Sequence, residues 1–324
     1  MTQKESTASI AVYRSLAEVP AGFGPSVAAI GNFDGVHCGH REILKVVVAE
    51  AERQRARSVA VTFDPHPERF LRPDAAPLLL TPLGERIRLL EETGIDAVLV
   101  LPFDEALAAL SAREFVRTIL AETLGVCALH EGGSFRFGRR AEAGIEELRA
   151  FGEEFGFTVY VHPAVHVRGM EVSSSAIRAL VAEGDVRRAR WMLGRPFTIL
   201  STQKRDRGVG ARLVVPTINL SEYDGQTPGF GVYVTRIRVG ARWFQAVTNV
   251  GDRPTFAGAG FSVETYILNF EPVEMDAETQ IELEFLLRLR GEVEWPSPEA
   301  LKAQIMRDVA RAKRFFRVEQ LLAF

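Results

Sequence analysis

Short, fully apolar runs alternate with longer amphipathic ones through the first half of the chain. Residues 26–30 (SVAAI), 58–63 (SVAVTF), 97–101 (AVLVL), 126–129 and 158–161 read as strands, while 41–53, 83–93 and 112–124 carry helical periodicity. Strands that are apolar throughout must be covered on both faces. The alternation therefore predicts an α/β unit with a parallel sheet and helices on both sides, its ligands at the carboxyl ends of the strands.

From about Phe197 the pattern changes to closely spaced β-type runs at 198–201, 232–239, 243–249, 262–268 and 281–289, separated by Gly-rich turns. This predicts a smaller antiparallel β-barrel or sandwich, followed by a final helix at 299–316 opened by Pro298. The expected division is 1–186, a linker at 187–196, and 197–324. With 324 residues, the length agrees with about two domains.

Composition narrows the function classes. Lys and Arg number 39 and Asp and Glu 42, giving a formal net charge of −3, with 47% hydrophobic and 25% charged residues. That balance argues against a protein whose main partner is a nucleic-acid backbone, and the basic clusters at Arg187, Arg188 and Arg190 and at Arg311, Lys313, Arg314 and Arg317 read as solvated helix faces. Self-association is compatible with the sequence. Cys38 and Cys127 have no paired spacing, which suits a reducing compartment, and no stretch supplies the roughly 18 apolar residues of a membrane span. The expectation is a cytoplasmic protein without membrane or nucleic-acid partners.

The segment GNFDGVHCGHREIL begins directly after the first predicted strand and opens the first predicted helix. Gly31 and Gly35, with Asn32, Phe33 and Asp34 between them, form a loop whose backbone can approach a phosphate, and the helix beyond offers unpaired N–H groups. His37 and His40 frame Gly39, and imidazoles can donate hydrogen bonds to a phosphorus centre as charge builds on it. On these letters alone, capping residues or a weak zinc pair remain open for the two histidines. Ser173, Ser174, Ser175 and Arg178 open another amphipathic run, a pattern that suits either simple capping or an anion site. Asp64 and His66 lie at a strand end on the ligand-binding edge, in a Pro-rich turn that is equally compatible with no chemistry.

The order of these words resembles the HxGH nucleotidyltransferase superfamily. With TFDPHP (62–67), LLTPLGERIRLLEETGID (79–96), FRFG (135–138) and VSSSAIR (172–178) they look like the FAD synthetase module of bacterial bifunctional riboflavin kinase/FMN adenylyltransferases. The resemblance implies adenylylation of FMN by ATP with release of pyrophosphate. It places His37 and His40 on the transferring phosphate, Ser173 to Arg178 near the departing pyrophosphate, and Phe135 at the flavin. Ser134 stands where the family usually has Asn or Asp.

In the second half, a Gly-containing stretch with Gly208 and Gly210 precedes Pro216, Thr217 and Asn219. Residues two apart on a strand share a face, so Thr217 and Asn219 can offer oxygens to Mg2+, although an edge strand after a turn fits the same letters. GVYVTRIRV (231–239), AVTNVGDRPTF (246–256), VETYILNF (263–270) and SPEALKAQIMRDV (297–309) resemble the riboflavin kinase domain of the same family, and the likeness runs from about Val27 to Val309. It implies γ-phosphate transfer from ATP to riboflavin, with Glu264 as base, Gly208, Gly210 and Pro216 at the nucleotide, and Asn249 and Arg253 at the flavin. Flavins are then substrates and products rather than redox cofactors. Ala211 and Val214 replace the family's usual Arg and Gly, which motivates an alternative in which the barrel is a degenerate flavin-binding or regulatory module beside an active adenylyltransferase. A nucleotide-sensing binding protein is the competing class.

Overall fold

The computed structural model describes residues 10–203, 217–221, 223–255, 258–271, 273 and 278–322, with the side chains of 252–255, 258–261 and 322 outside that description. The chain forms two compact units, Met1–Ser174 and Ser175–Phe324.

The first unit contains strands β1 (Ala11–Tyr13), β2 (Ser26–Ile30), β3 (Arg57–Asp64), β4 (Ala97–Pro102), β5 (Val126–Gly132) and β6 (Thr158–His162). They form one parallel sheet in the order β1-β4-β3-β2-β5-β6. The strand order reverses direction between β2 and β5, which makes the carboxyl end of that gap the crevice where such sheets bind ligands. Its helices are α1 (Cys38–Gln54), α2 (Pro67–Leu71), α3 (Leu83–Glu91), α4 (Glu105–Ala109), α5 (Ala112–Phe115) and α6 (Ile145–Phe155). Leu44, Val47 and Ala51 of α1 and Leu89 and Leu90 of α3 pack with Val27, Ala29, Ala60 and Val98 on one face of the sheet. Phe115, Val116, Ile119, Leu120 and Leu148 pack with Ala28, Val59, Leu99 and Leu129 on the other. Both faces are covered, as strands apolar on both sides require.

The predicted helix at 112–124 is one α-turn that continues as a π-helical segment, Val116–Thr123. Strand β1 was not expected: three half-buried residues at an edge are too few to show a period. Two further strands, β7 (His166–Val167) and β8 (Met170–Glu171), form a small hairpin before α7 (Ser174–Ala182), and α8 (Val186–Leu193) occupies most of the expected connecting segment.

In the second unit, β9 (Phe197–Ser201), β10 (Thr217–Asn219), β11 (Gly231–Val239), β12 (Arg242–Thr255), β13 (Gly258–Ile267) and β14 (Ile281–Arg290) form an antiparallel sheet in the order β10-β13-β12-β11-β14-β9. Its two edges meet: Gln203 bridges Leu220, and the Ser221 N–H donates to Thr202 O at 2.9 Å. Closure removes exposed strand edges and makes the sheet a barrel. Helix α9 (Pro298–Leu322) lays Val309, Ala312 and Phe316 against Val232, Val234, Val247 and Leu286. On the opposite side of these strands, the fully buried hydroxyls of Thr235, Thr248 and Thr265 form a hydrogen-bonded row with spacings of 2.7 and 3.0 Å. Each hydroxyl thereby avoids the cost of burial without a partner.

Candidate functional site

In the first unit, the loop between β2 and α1 carries the predicted phosphate-binding residues. His37 is the N-cap of α1, its Nδ1 accepting from the His40 N–H at 3.3 Å. A neutral imidazole that accepts at Nδ1 carries its proton on Nε2. The cap therefore also fixes the nitrogen with which His37 can donate. The His40 ring stacks on that of His37, centroids 3.6 Å apart and planes 16° from parallel, with the Phe33 ring edge-on at 5.1 Å. Burial holds the His40 imidazole well below the ordinary histidine range, and the adjacent His37 pushes the same way. Its Nδ1 is buried without a hydrogen-bond partner. A Cβ on Gly39 would lie 3.2 Å from the His37 ring, so the glycine leaves the room the stack occupies.

Strain and buried polar anchors hold this loop. Phe33 (φ 47°), Gly35 (φ 85°) and Val36 (φ 36°) lie in the left-handed region, which is costly for a β-branched residue. The buried Asp34 carboxylate accepts from the N–H groups of Leu80 and Thr81 at 3.0 Å, and the Gly35 N–H donates to Thr81 Oγ1 at 3.0 Å. Ser174, the first residue of α7, donates from Oγ to Asp34 O at 2.8 Å, which holds Ser174 and the preceding Ser173 at the loop. Ser175 and Arg178 follow within the first turns of that helix.

Sequence reasoning missed three residues here: Arg86, Thr81 and Glu131. Arg86 is 1% exposed, and its Nη1 donates to Asn32 O (2.8 Å), Phe63 O (3.1 Å) and Thr62 Oγ1 (3.2 Å). It ties the carboxyl ends of β2 and β3 together, with Asp64 Oδ1 3.7 Å from its Nη2. Burial lowers the guanidinium pKa, and Asp34 and Asp64 oppose that shift. The available signal was its position three and four residues before Leu89 and Leu90, on the apolar stripe of α3. His66 is buried, caps α2 by accepting from the Glu68 N–H at 3.2 Å, and lies 3.0 Å from Asn32 Nδ2. Phe135 stacks on Phe137 at 5.4 Å at the margin of the core, and Ser134 is exposed.

In the second unit, Glu264 on β13 stands directly opposite Asn219 of β10 on one side and Asn249 of β12 on the other. Directly paired residues share a sheet face, so three predicted residues from three distant words form one row. All three are half-buried, and Ser262 Oγ lies 3.4 Å from Glu264 Oε1. Asn219 Oδ1 is buried without a hydrogen-bond partner. Thr217, exposed and paired with Tyr266, lies two residues along the same strand face. An unsatisfied amide oxygen beside a hydroxyl is a hard, oxygen-only donor set, which fits Mg2+ better than a softer metal. Gly208, Gly210, Pro216, Ala211 and Val214 lie outside the described residues, as does the side chain of Arg253.

Comparison with known proteins finds the same pair of units. The sequence profile of FAD synthetase matches residues 21–176 and that of riboflavin kinase residues 193–316. The bifunctional riboflavin kinase/FMN adenylyltransferase of Escherichia coli (strain K12) is 35% identical over 292 residues, covering 90% of this chain and 92% of its own. That of Pseudomonas fluorescens is 36% identical over 288 residues, covering 89% and 92%. A solved structure from Streptococcus pneumoniae, described as a macrolide-efflux protein, superposes with a TM-score of 0.83 at 25% identity, covering 93% of this chain and 98% of that one. The efflux description belongs to that protein. Among the described residues here, no helix is long and apolar enough to cross a membrane.

Proposed function

The chain belongs to the bifunctional riboflavin kinase/FMN adenylyltransferase family, and on that premise we propose which of its residues carry each reaction. Its activities are ATP-dependent phosphorylation of riboflavin to FMN and adenylylation of FMN to FAD with release of pyrophosphate. The proposed division is adenylyltransferase at 1–186, connection at 187–196 and riboflavin kinase at 197–324. One observation carries the residue assignment: in each unit, residues from separate sequence words meet at one place, Ser174 with the His37–His40 loop and Asn219 with Glu264 and Asn249.

For adenylyl transfer, Gly31 to Gly35 receive the phosphates of ATP at the N-terminus of α1, where backbone N–H groups and the helix dipole favour an anion. His37 donates from Nε2 to the α-phosphate as charge develops on its oxygens. His40, kept neutral by burial, supports the His37 ring and adds a second donor. Ser173, Ser174, Ser175 and Arg178 take up the leaving pyrophosphate, and Phe135 contacts the flavin. Both reactions are substitutions at phosphorus, so positioning and charge neutralisation suffice without a covalent enzyme intermediate.

For phosphoryl transfer, Glu264 accepts the proton of the terminal ribityl hydroxyl as that oxygen attacks the γ-phosphorus. Asn249 and Arg253 hold the flavin, and Gly208, Gly210 and Pro216 the nucleotide. Thr217 and Asn219 would hold Mg2+, which would neutralise charge on the ATP phosphates. The setting we propose is reducing and cytoplasmic, in keeping with a sequence whose two cysteines have no paired spacing. Incubation with riboflavin, ATP and Mg2+, followed by separation of riboflavin, FMN and FAD over time, tests the reading. Transient FMN followed by FAD is expected; FMN without FAD, or neither flavin, contradicts it.

A further inference from the structure

The pairing between β2 and β5 stops early. Strand β2 stays in register with β3 as far as Ile30 and Val61, but its last pair with β5 is Ala28 and Leu129. Meanwhile β5 continues to pair with β6 as far as Gly132 and His162. Beyond Ala28 the two central strands therefore part, and this gap is where the strand order reverses. A ligand crevice at such a point needs the strands apart, yet parting them leaves the Ile30 N–H without its ladder partner. An unpaired buried N–H is costly.

Glu131 supplies the missing acceptor. Its Oε1 receives the Ile30 N–H at 2.6 Å, and the residue is 3% exposed. Burial drives the carboxyl well above its ordinary range, opposed only by that one hydrogen bond. On the other edge of β2 the Gly31 N–H donates to Val61 O at 3.0 Å. The end of β2 is thus gripped from both sides immediately before the Gly31–Gly35 loop. A main-chain carbonyl of β5 could satisfy Ile30 only by drawing β5 against β2 and closing the crevice; a side chain reaches across and leaves it open. A buried acidic residue at the end of a strand that is apolar as far as Leu129 is a local conflict of the kind that folds keep at functional positions.

We propose that Glu131 is a positioning residue for FMN adenylylation, its carboxyl holding the Ile30–Gly31 end of β2 so that the nucleotide loop and the His37–His40 pair take their places beside an open crevice. This rests on the assignment of that loop to adenylyl transfer.

The test uses the full chain with Glu131→Gln, which keeps a neutral acceptor of the same length, and Glu131→Met, which keeps the length and removes the acceptor. FMN adenylylation is measured as kcat and KM for ATP and FMN, with riboflavin phosphorylation of the same preparations as the folding control. The expected results are Gln within about twofold of the parent and Met lowered about tenfold or more in kcat/KM, with phosphorylation unchanged in both. Met equal to the parent, or Gln lowered as far as Met, overturns the proposal. His37→Ala in the same assay separates the two failures. If it leaves FAD formation intact, the loop assignment has failed; if it abolishes FAD formation while Glu131→Met does not, only the role of Glu131 has.

Discussion

The imidazoles of His37 and His40 stack 3.6 Å apart, and a methyl group on Gly39 between them in sequence would meet the His37 ring at 3.2 Å, closer than ordinary contact. Gly39→Ala is therefore expected to displace a ring by a few tenths of an ångström. Because Gly39 is in the first turn of α1, alanine should leave stability unchanged or slightly raised. Steady-state kinetics should show kcat/KM for FMN adenylylation lowered by about tenfold to a hundredfold, since small misplacements at a reacting centre cost that much.

Acid should draw stability from the first unit through two histidines, the half-buried His40 and the buried His130. His40 is held well below the ordinary range by burial and by His37, and His130 is lowered to about 4 by burial and by His162. Between the unfolded value near 6.5 and these folded values, the unfolded chain binds more protons, so stability rises with pH and is lost as pH falls through that window. The Glu131 carboxyl, raised by burial, works in the opposite sense, so the histidine contribution is read as a difference: the change in denaturant midpoint from pH 7 to pH 4 should be less negative for His130→Gln than for the parent. An unchanged slope in the variant would show that His130 does not contribute.

Arg86 is expected to matter for both fold and activity. Replacing it by Met removes its hydrogen bonds to Asn32 O and Phe63 O, two carbonyls at the base of the loop, and leaves Asn32 O with the Thr62 hydroxyl at 3.2 Å. A loss of about 2–4 kcal/mol is expected in equilibrium unfolding, from the charge-assisted hydrogen bonds given up in a buried site. In the folded fraction, KM for ATP in adenylylation should rise while riboflavin phosphorylation is spared.

The Mg2+ dependence of the kinase step should change at Asn219. Its buried amide oxygen has no hydrogen-bond partner, so Asn219→Ala removes a group that stands to gain from a hard cation. The Mg2+ concentration for half-maximal riboflavin phosphorylation should rise by about tenfold, in the range expected for losing one ligand or its support. Titration of Mg2+ at fixed ATP checks this, and an unchanged midpoint would assign Asn219 elsewhere.

Much of the layout could be read from the sequence because it rests on local signals. The four central strands of the first unit, β4, β3, β2 and β5, carry continuous apolar runs, and the HxGH word sits where a strand turns into a helix. The buried polar anchors escaped because their meaning lies in distant partners. Glu131 acts on Ile30, 101 positions away, and Arg86 on Asn32, 54 positions away. The pairing of Asn219, Glu264 and Asn249 was equally out of reach, since register across three strands is set by tertiary packing; only the shared face of Thr217 and Asn219 follows from their spacing. Helix α6 was passed over, and the Arg-rich letters of α8 show only a solvated helix face at the connecting segment, because the side that buries Val186, Ala189, Met192 and Leu193 depends on what packs against it.

The most direct measurement is a parallel time course of riboflavin, FMN and FAD for the parent chain, His37→Ala and Glu264→Gln, each supplied with riboflavin or with FMN. The account predicts that His37→Ala accumulates FMN from riboflavin and forms FAD about a hundredfold or more slowly. Glu264→Gln should phosphorylate riboflavin about a hundredfold or more slowly while converting supplied FMN to FAD at the parental rate. If either variant instead loses both reactions equally, or Glu264→Gln still phosphorylates riboflavin at the parental rate, the assignment of separate residues to two separate reactions is contradicted.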